Sequence, residues 1–222
     1  MEPIQFQKID MDTWPRAAHY RHYTQVSNCT YSITVDIDIT ALAAACRAGG
    51  WQITPALTYL CCEAISRCPE MRFSLNEEGE LGMYSRLEVI YPIFHQDDHT
   101  FTYLWTPMED TFPAYHAAVL RDKARFAHLR GPEGVAPPKA SFSISSIPWV
   151  TFSGFNLNIL TDGTFFSPII TFGRYREEGG RLLLPFALQI HHAVADGYHA
   201  ASFLNLIQQL ADDAPNWAGT SL

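Results

Sequence analysis

The sequence predicts an α+β fold built on a largely antiparallel or mixed sheet, and three observations carry that expectation. Strand-length apolar runs flank polar turn clusters at Asn76–Glu80, Gln96–His99 and Glu177–Gly180, the pattern of hairpins. Helical patterns gather in blocks, near residues 40–68, 111–131 and 199–210, without strict strand–helix alternation. Neither G-x-G-x-x-G nor G-x-x-x-x-G-K-[ST] occurs, so a Rossmann or P-loop nucleotide site is not expected.

Taken in order, Ile4 to Ile9 reads as a short extended segment. Asp10 or Asp12 offers a cap and Pro15 suits a first turn, so a short helix should follow to about Tyr23. Cys29 to Ile37 alternates as a half-buried strand, and a helix from about Thr40 stops at Gly49-Gly50. Thr54-Pro55 opens the next helix, with Leu57, Leu60, Cys61, Ala64, Ile65 and Cys68 on one face; Cys61 and Cys68 pack there as small apolar groups. Met71–Leu75 with Leu81–Tyr84, and Val89–His95 with Thr100–Trp105, form hairpins. Thr111-Phe112-Pro113 starts a long helix with Tyr115, Val119, Phe126 and Leu129 inward, ending by Gly131. Beyond the Gly/Pro-rich loop Gly131–Pro138, strands should dominate from Phe142 through Ile190. A last helix runs from about His199 to Leu210, and the tail beyond Asp213 is expected to be loose.

With 222 residues, 47% hydrophobic and 17% charged, the chain can bury one sizeable core, and residues 1–222 are expected to form a single domain. A net charge of −8 argues against general nucleic-acid binding, which needs a basic face. No apolar run approaches a membrane span, and Met1-Glu2-Pro3-Ile4-Gln5 has no signal-peptide character. Five cysteines, including the neighbours Cys61 and Cys62, do not form a disulfide pattern, so a reduced, cytoplasmic setting is expected.

The chemistry concentrates in His191-His192-Ala193-Val194-Ala195-Asp196-Gly197, which follows the apolar run Leu182–Ile190 and precedes a helical pattern through Phe203, Leu204, Ile207 and Leu210. This is a strand-to-helix junction. Successive strand residues point to opposite faces, so His191 and His192 should have different tasks. Asp196 falls where a helix begins and is favoured there as an anion, and Gly197 frees the backbone to turn. An imidazole with pKa about 6.5 can take and return a proton near neutrality. For adjacent histidines in general, a partly buried pair closing a strand is the commoner outcome. Metal binding is disfavoured: there is no H-E-x-x-H or paired Cys-x-x-Cys, and adjacent histidines chelate one ion poorly.

The motif matches the H-H-x-x-x-D-G signature of CoA-dependent acyltransferases, and further stretches resemble the chloramphenicol acetyltransferase family in particular. These are Trp14-Pro15-Arg16, Ser145-Ser146-Ile147-Pro148-Trp149-Val150, Ser153-Gly154-Phe155-Asn156-Leu157-Asn158, Phe166-Ser167-Pro168-Ile169-Ile170-Thr171 and Arg181-Leu182-Leu183-Leu184-Pro185. They occur in the family's order across nearly the whole chain. The resemblance implies a two-layer sandwich, a mixed and largely antiparallel sheet covered by helices. It also implies an acetyl-CoA-dependent O-acetyltransferase (EC 2.3.1) that acetylates a hydroxyl of chloramphenicol, with acetyl-CoA as co-substrate and no metal.

By the same resemblance His192 is the general base, Ser145 stabilises the tetrahedral oxyanion, and Asp196 with Arg16 forms a buried ion pair that holds the architecture. Thr171 helps hold an ordered water, and Trp149 and Tyr175 lie near the CoA tunnel. Tyr23, Cys29, Tyr31, Phe101, Phe155 and Leu157 agree with an apolar drug pocket, which Tyr103 also lines. Ser27, Thr30 and Tyr103 depart from the expected residues, and Tyr103 adds bulk and a hydroxyl. The family's homotrimer, with active sites at subunit interfaces, would set Tyr23, Cys29 and Phe155 facing the His192 of an adjacent chain. An acetyltransferase for another small hydroxylated acceptor and a non-catalytic small-molecule-binding trimer remain open, as does which of Arg174, Arg176 and Arg181 meets the CoA phosphates.

Overall fold

A computed structural model describes residues 3–157, 159 and 163–218 of the chain. Its main sheet has seven strands in the order β2-β10-β8-β7-β5-β6, with β9 beside β10. The strands are β2 (Thr30–Asp38), β5 (Glu88–Phe94), β6 (Phe101–Trp105), β7 (Ser141–Ile147), β8 (Ile169–Gly173), β9 (Arg176–Glu178) and β10 (Arg181–His191). The β5–β7 and β7–β8 pairs are parallel and the others antiparallel, so the sheet is mixed, as the hairpin signals predict. A small sheet of β1 (Phe6–Lys8), β3 (Phe73–Leu75) and β4 (Leu81–Tyr84) stands apart from it.

Helices α1 (Ala17–Gln25), α2 (Thr40–Gly49), α3 (Ile53–Arg67), α4 (Phe112–Arg125), α5 (Gly197–Asp212) and α6 (Ala214–Trp217) complete the architecture. The sheet face bearing Ile37, Phe186, Phe172 and Ile144 joins the helices in one apolar cluster. Burial of that kind stabilises by about 25 cal/mol per Å² of apolar surface removed from water. β10 is buried on both faces, which explains why Leu182–Ile190 reads as a continuous apolar run instead of an alternation. Gly50 ends α2 in the left-handed region at φ 69°, the conformation glycine adopts without steric cost.

Four expectations are revised. α3 buries Ala56, Thr58, Tyr59 and Cys62 as well as its expected stripe, because it is packed all round, while Cys68 lies just past its end. α4 stops at Arg125, and Phe126 serves as its C-cap, so the expected extension to Gly131 is absent. Strands do not dominate 142–190: the described residues between β7 and β8 form an irregular segment across the open face of the sheet. There Phe155 N–H donates to Thr34 Oγ1 at 3.2 Å, Leu157 N–H donates to Gln189 Oε1 at 2.9 Å, and Phe152 packs against Gly173 where any Cβ would collide. Finally, the tail is not loose as far as Ala218: Trp217 packs on Tyr59 and Phe112, each with centroids 5.4 Å away, and its indole N–H donates to Leu210 O.

Candidate active site

The two histidines divide their work as strand parity requires. His191 is buried; its Nδ1 accepts the Ala193 N–H at 3.1 Å and its Nε2 lies 2.9 Å from Asn28 Oδ1. An acceptor at one nitrogen and a carbonyl partner at the other fix the neutral Nε2–H tautomer. Burial, reinforced by neighbouring His192, lowers its pKa. His191 is thus a satisfied structural residue.

His192 is half-buried at the mouth of the junction. The Tyr23 ring stacks on its imidazole at 4.0 Å with an interplanar angle of 8°, and Tyr31 meets it edge-on at 5.2 Å. Its backbone N–H donates to Cys29 O at 3.0 Å. Nδ1 is buried without a partner among the described residues, which leaves Nε2 as the nitrogen open to an incoming group. Burial, with the Asp196 carboxylate adding to it and Arg16 opposing, pushes the Tyr31 phenol up to about 12, so this wall stays neutral. Within the chain, Tyr23 and Cys29 therefore sit against His192. The hairpin-like return of α1 into β2 carries them there.

Asp196 is the N-cap of α5: its Oδ1 accepts the Tyr198 N–H at 3.1 Å, and the Asp196 N–H donates to His199 Nδ1 at 3.2 Å. Its Oδ2 accepts from Arg16 Nη1 at 2.7 Å, while Arg16 Nη2 reaches His192 O at 3.5 Å. The carboxyl pKa is lowered: Arg16, His199 and the Tyr198 N–H together outweigh desolvation, the largest single contribution, which opposes them. The pair is half-buried, with side chains 15% and 34% exposed, not fully enclosed as expected. Arg16 Nε, Tyr31 Oη and His192 Nδ1 are buried without partners among the described residues.

The other predicted group lies level with the middle of β10, two strands away. Ser145 pairs with Thr171 and Thr171 with Ala187, placing all of them in one row of the open face. His192 is five residues beyond Ala187 along the chain, hence about 16 Å along the strand and about 10 Å across two strand spacings from Ser145. Ser145, Phe101, Tyr103 and Trp149 line a cleft of about 450 Å³ together with Thr54, Phe94 and Lys123. Tyr103 stands edge-on to Phe101 at 5.0 Å. Thr54, Ser146 and Pro148 connect this cleft to a groove of about 130 Å³ lined by Arg174 and Tyr175. Trp149 and Tyr175 are exposed, at 56% and 50%.

Of the remaining candidates, Thr171 is buried beneath the irregular segment, and Phe155 and Leu157 ride on that segment, Leu157 exposed. Arg176 is committed to Asp36 through two bonds of 2.7 Å and to Glu178 at 3.1 Å, which removes it from the phosphate candidates. Thr54, Phe94 and Lys123 join the cleft without any motif that marks them in the sequence. Lys123 is half-buried at the edge of the inward α4 stripe, beside the buried Val119 and Asp122. No group of three or more His, Cys, Asp or Glu among the described residues is placed to hold a metal ion.

Comparison with known proteins shows the family. A family model described as chloramphenicol acetyltransferase matches residues 4–208. A chloramphenicol acetyltransferase of Clostridium perfringens is 36% identical over 217 residues, 97% of this chain and 99% of the relative. One from Streptomyces acrimycini is 40% identical over 212 residues, 94% and 95% of the two chains. Among solved structures, a chloramphenicol acetyltransferase superposes with TM-score 0.87 at 19% identity, covering 93% of this chain and 100% of that one. The dihydrolipoamide acetyltransferase of Azotobacter vinelandii shares the fold more distantly, at TM-score 0.62 and 20% identity over 90% and 88% of the chains. With its family model spanning almost every element described and relatives alike from end to end, the chain belongs to the chloramphenicol acetyltransferase family.

Proposed function

We propose that this chain transfers the acetyl group of acetyl-CoA to a hydroxyl of chloramphenicol, directly and within a ternary complex. The acceptor enters at His192, whose Nε2 takes the hydroxyl proton as the oxygen attacks the thioester carbonyl. The carbonyl oxygen becomes an oxyanion, to which the Ser145 hydroxyl donates; such a donor is worth roughly 3–4 kcal/mol of barrier. Collapse breaks the C–S bond, and the thiolate recovers the proton from His192. No acyl-enzyme forms. Arg16 and Asp196 hold the junction, and Thr171 helps hold an ordered water near the reacting atoms.

The observation that carries the reading is the distance between the two half-sites. A base beyond the end of β10 and a hydroxyl-bearing cleft level with that strand's middle, two strands away, cannot serve one acetyl group within a single chain, since reacting groups must approach to about 3 Å. Copies arranged cyclically, the His192 end of one against the Ser145 cleft of the next, satisfy both, which supports a homotrimer with sites between subunits. Trp149, Tyr175 and Arg174 then border the acetyl-CoA entrance. Tyr23, Cys29, Tyr31, Phe101, Tyr103, Phe155 and Leu157 line the acceptor side. The free, largely buried thiols of Cys46, Cys61 and Cys62 accord with a reducing cytoplasm.

One observation favours a second acceptor class: Tyr103 lines the cleft with Ser145 and adds a hydroxyl to it. The test is release of CoA thiol from acetyl-CoA, with and without chloramphenicol, by wild type and His192→Ala. Drug-dependent turnover that falls by about 10²–10⁴ in the variant is the expected result. Turnover with another hydroxylated compound but none with the drug would transfer the activity to that acceptor. No turnover with any acceptor would overturn the enzymatic reading.

A further inference from the structure

The turn Gly50-Trp51-Gln52 joins α2 to α3. Trp51 N–H donates back to Cys46 O at 2.8 Å, and the Trp51 indole N–H donates to Ala218 O at 3.0 Å. Gln52 N–H instead crosses to α4 and donates to His116 Nε2 at 3.0 Å. His116 is 5% exposed and shares the α4 stripe of Phe112, Tyr115 and Val119, where an apolar side chain would pack without needing a partner. Its ring meets Trp51 edge-on at 5.0 Å and Phe112 at 5.8 Å. Accepting at Nε2 requires the neutral ring, because the imidazolium carries a proton on each nitrogen. Burial lowers the His116 pKa, and Lys123, the charged group that acts on it among the described residues, lowers it further from the same helix. The turn faces it with Trp51 and the Gln52 backbone, neither of them charged. Gln52 is also the N-cap of α3, which has no side-chain cap. Two residues on, Thr54 lines both the cleft beside Ser145 and the groove beside Arg174 and Tyr175.

We propose that His116 is a positioning residue for the acyl donor: by holding the Gln52 N–H it fixes the start of α3, and with it Thr54 in the wall common to cleft and groove. The assignment rests on the reading of these two spaces as the acetyl-CoA site, whatever the acceptor. Protonation takes the acceptor lone pair away and turns an N–H of the ring against the Gln52 N–H. A buried donor is then left unpaired, the costliest change a hydrogen bond can suffer. The start of α3 shifts to relieve it, and acetyl-CoA meets a displaced Thr54. His116 touches neither substrate, so binding of the donor responds while the chemical step at saturation does not. The sign follows from the lowered pKa: the effect is absent at neutral pH and grows as pH falls below about 6.5 toward the folded value.

Calorimetric titration with CoA would compare wild type, His116→Gln and His116→Leu at about pH 7.5 and about pH 5.5, either side of the histidine range. Circular dichroism confirms that each variant is folded. A CoA phosphate that titrates near about pH 6 affects all three proteins alike. His116→Gln supplies an acceptor oxygen that does not titrate, so at the higher pH it should bind CoA as wild type does. Moving to the lower pH should weaken wild type at least about threefold more than His116→Gln. His116→Leu should bind about fivefold or more weakly at both, for want of the acceptor. Its kcat at saturating acetyl-CoA should stay within about twofold of wild type while KM for acetyl-CoA rises. Equal pH dependence of wild type and His116→Gln, or CoA binding by His116→Leu equal to that of wild type, overturns the assignment. If His116→Leu does not fold, the pH comparison with His116→Gln decides alone. Thiol release from acetyl-CoA is followed in parallel: CoA binding without turnover on any acceptor defeats the acyltransferase reading, while the pH comparison still decides the role of His116. No CoA binding by wild type overturns both.

Discussion

At the residue scale the histidine pair shows how one strand position changes a side chain's duty. His191 is buried neutral, with its pKa lowered by burial first and by His192 second. The unfolded chain therefore binds this proton more readily, at a pKa near 6.5. Stability from His191 is complete above that value and is lost as pH falls through it toward the lower folded pKa. Thermal melts should drop below about pH 6.5, and His191→Gln should flatten the drop. Ser145 tests the proposed oxyanion donor: Ser145→Ala should lower kcat by about 10²–10³ with a small change in KM, measured by thiol release. Asp196→Asn should keep the helix cap, since asparagine caps well, but weaken the bond to Arg16. The half-exposed pair loses less than an enclosed one would, about 1–2 kcal/mol, read from denaturant midpoints.

At the element scale, α3 and α6 show why a pattern in sequence understates burial. The α3 residues Tyr59, Cys61 and Cys62 are all covered because neighbours surround the helix. One of those neighbours is the C-terminal turn, whose Trp217 closes over Tyr59 and Phe112. Trp217→Ala should cost about 2–4 kcal/mol and lower the melting temperature without changing the His192 chemistry. A truncation after Asp213 should behave the same way. If both leave the melt unmoved, the turn contributes nothing to the core.

At the scale of the whole molecule, the sheet register sets the His192 and Ser145 half-sites far apart, so activity should require more than one copy. His192→Ala and Ser145→Ala chains should each be inactive alone. Co-expressed in equal amounts, they should regain roughly a quarter of wild-type activity, the chance that a site draws its intact histidine and intact serine from suitable neighbours. Mixed assemblies as inactive as their parents would mean that each site lies within one chain.

The strand-to-helix junction was legible because its chemistry is local. A continuous apolar run, two histidines of opposite parity, an aspartate cap and a glycine dictate where His192 points, whatever lies elsewhere. The hairpins at Asn76–Glu80, Gln96–His99 and Glu177–Gly180 were legible for the same reason, since turn residues and flanking alternation act over a few residues. Ser145 could be named from its resemblance, but its spatial relation to His192 depends on strand order and register, which link residues far apart in the chain. Likewise Tyr23 could be assigned to the acceptor pocket, yet only the packing of α1 against the junction stacked it on its own chain's histidine. The irregular segment after Pro148 read as strand because its residues are apolar; its backbone partners turned out to be the Thr34 and Gln189 side chains. Local patterning and family likeness thus determined most elements, the family and the candidate base. Long-range pairing decided how far His192 stands from Ser145 on one sheet, because contact energy between distant segments is settled only when the whole chain packs.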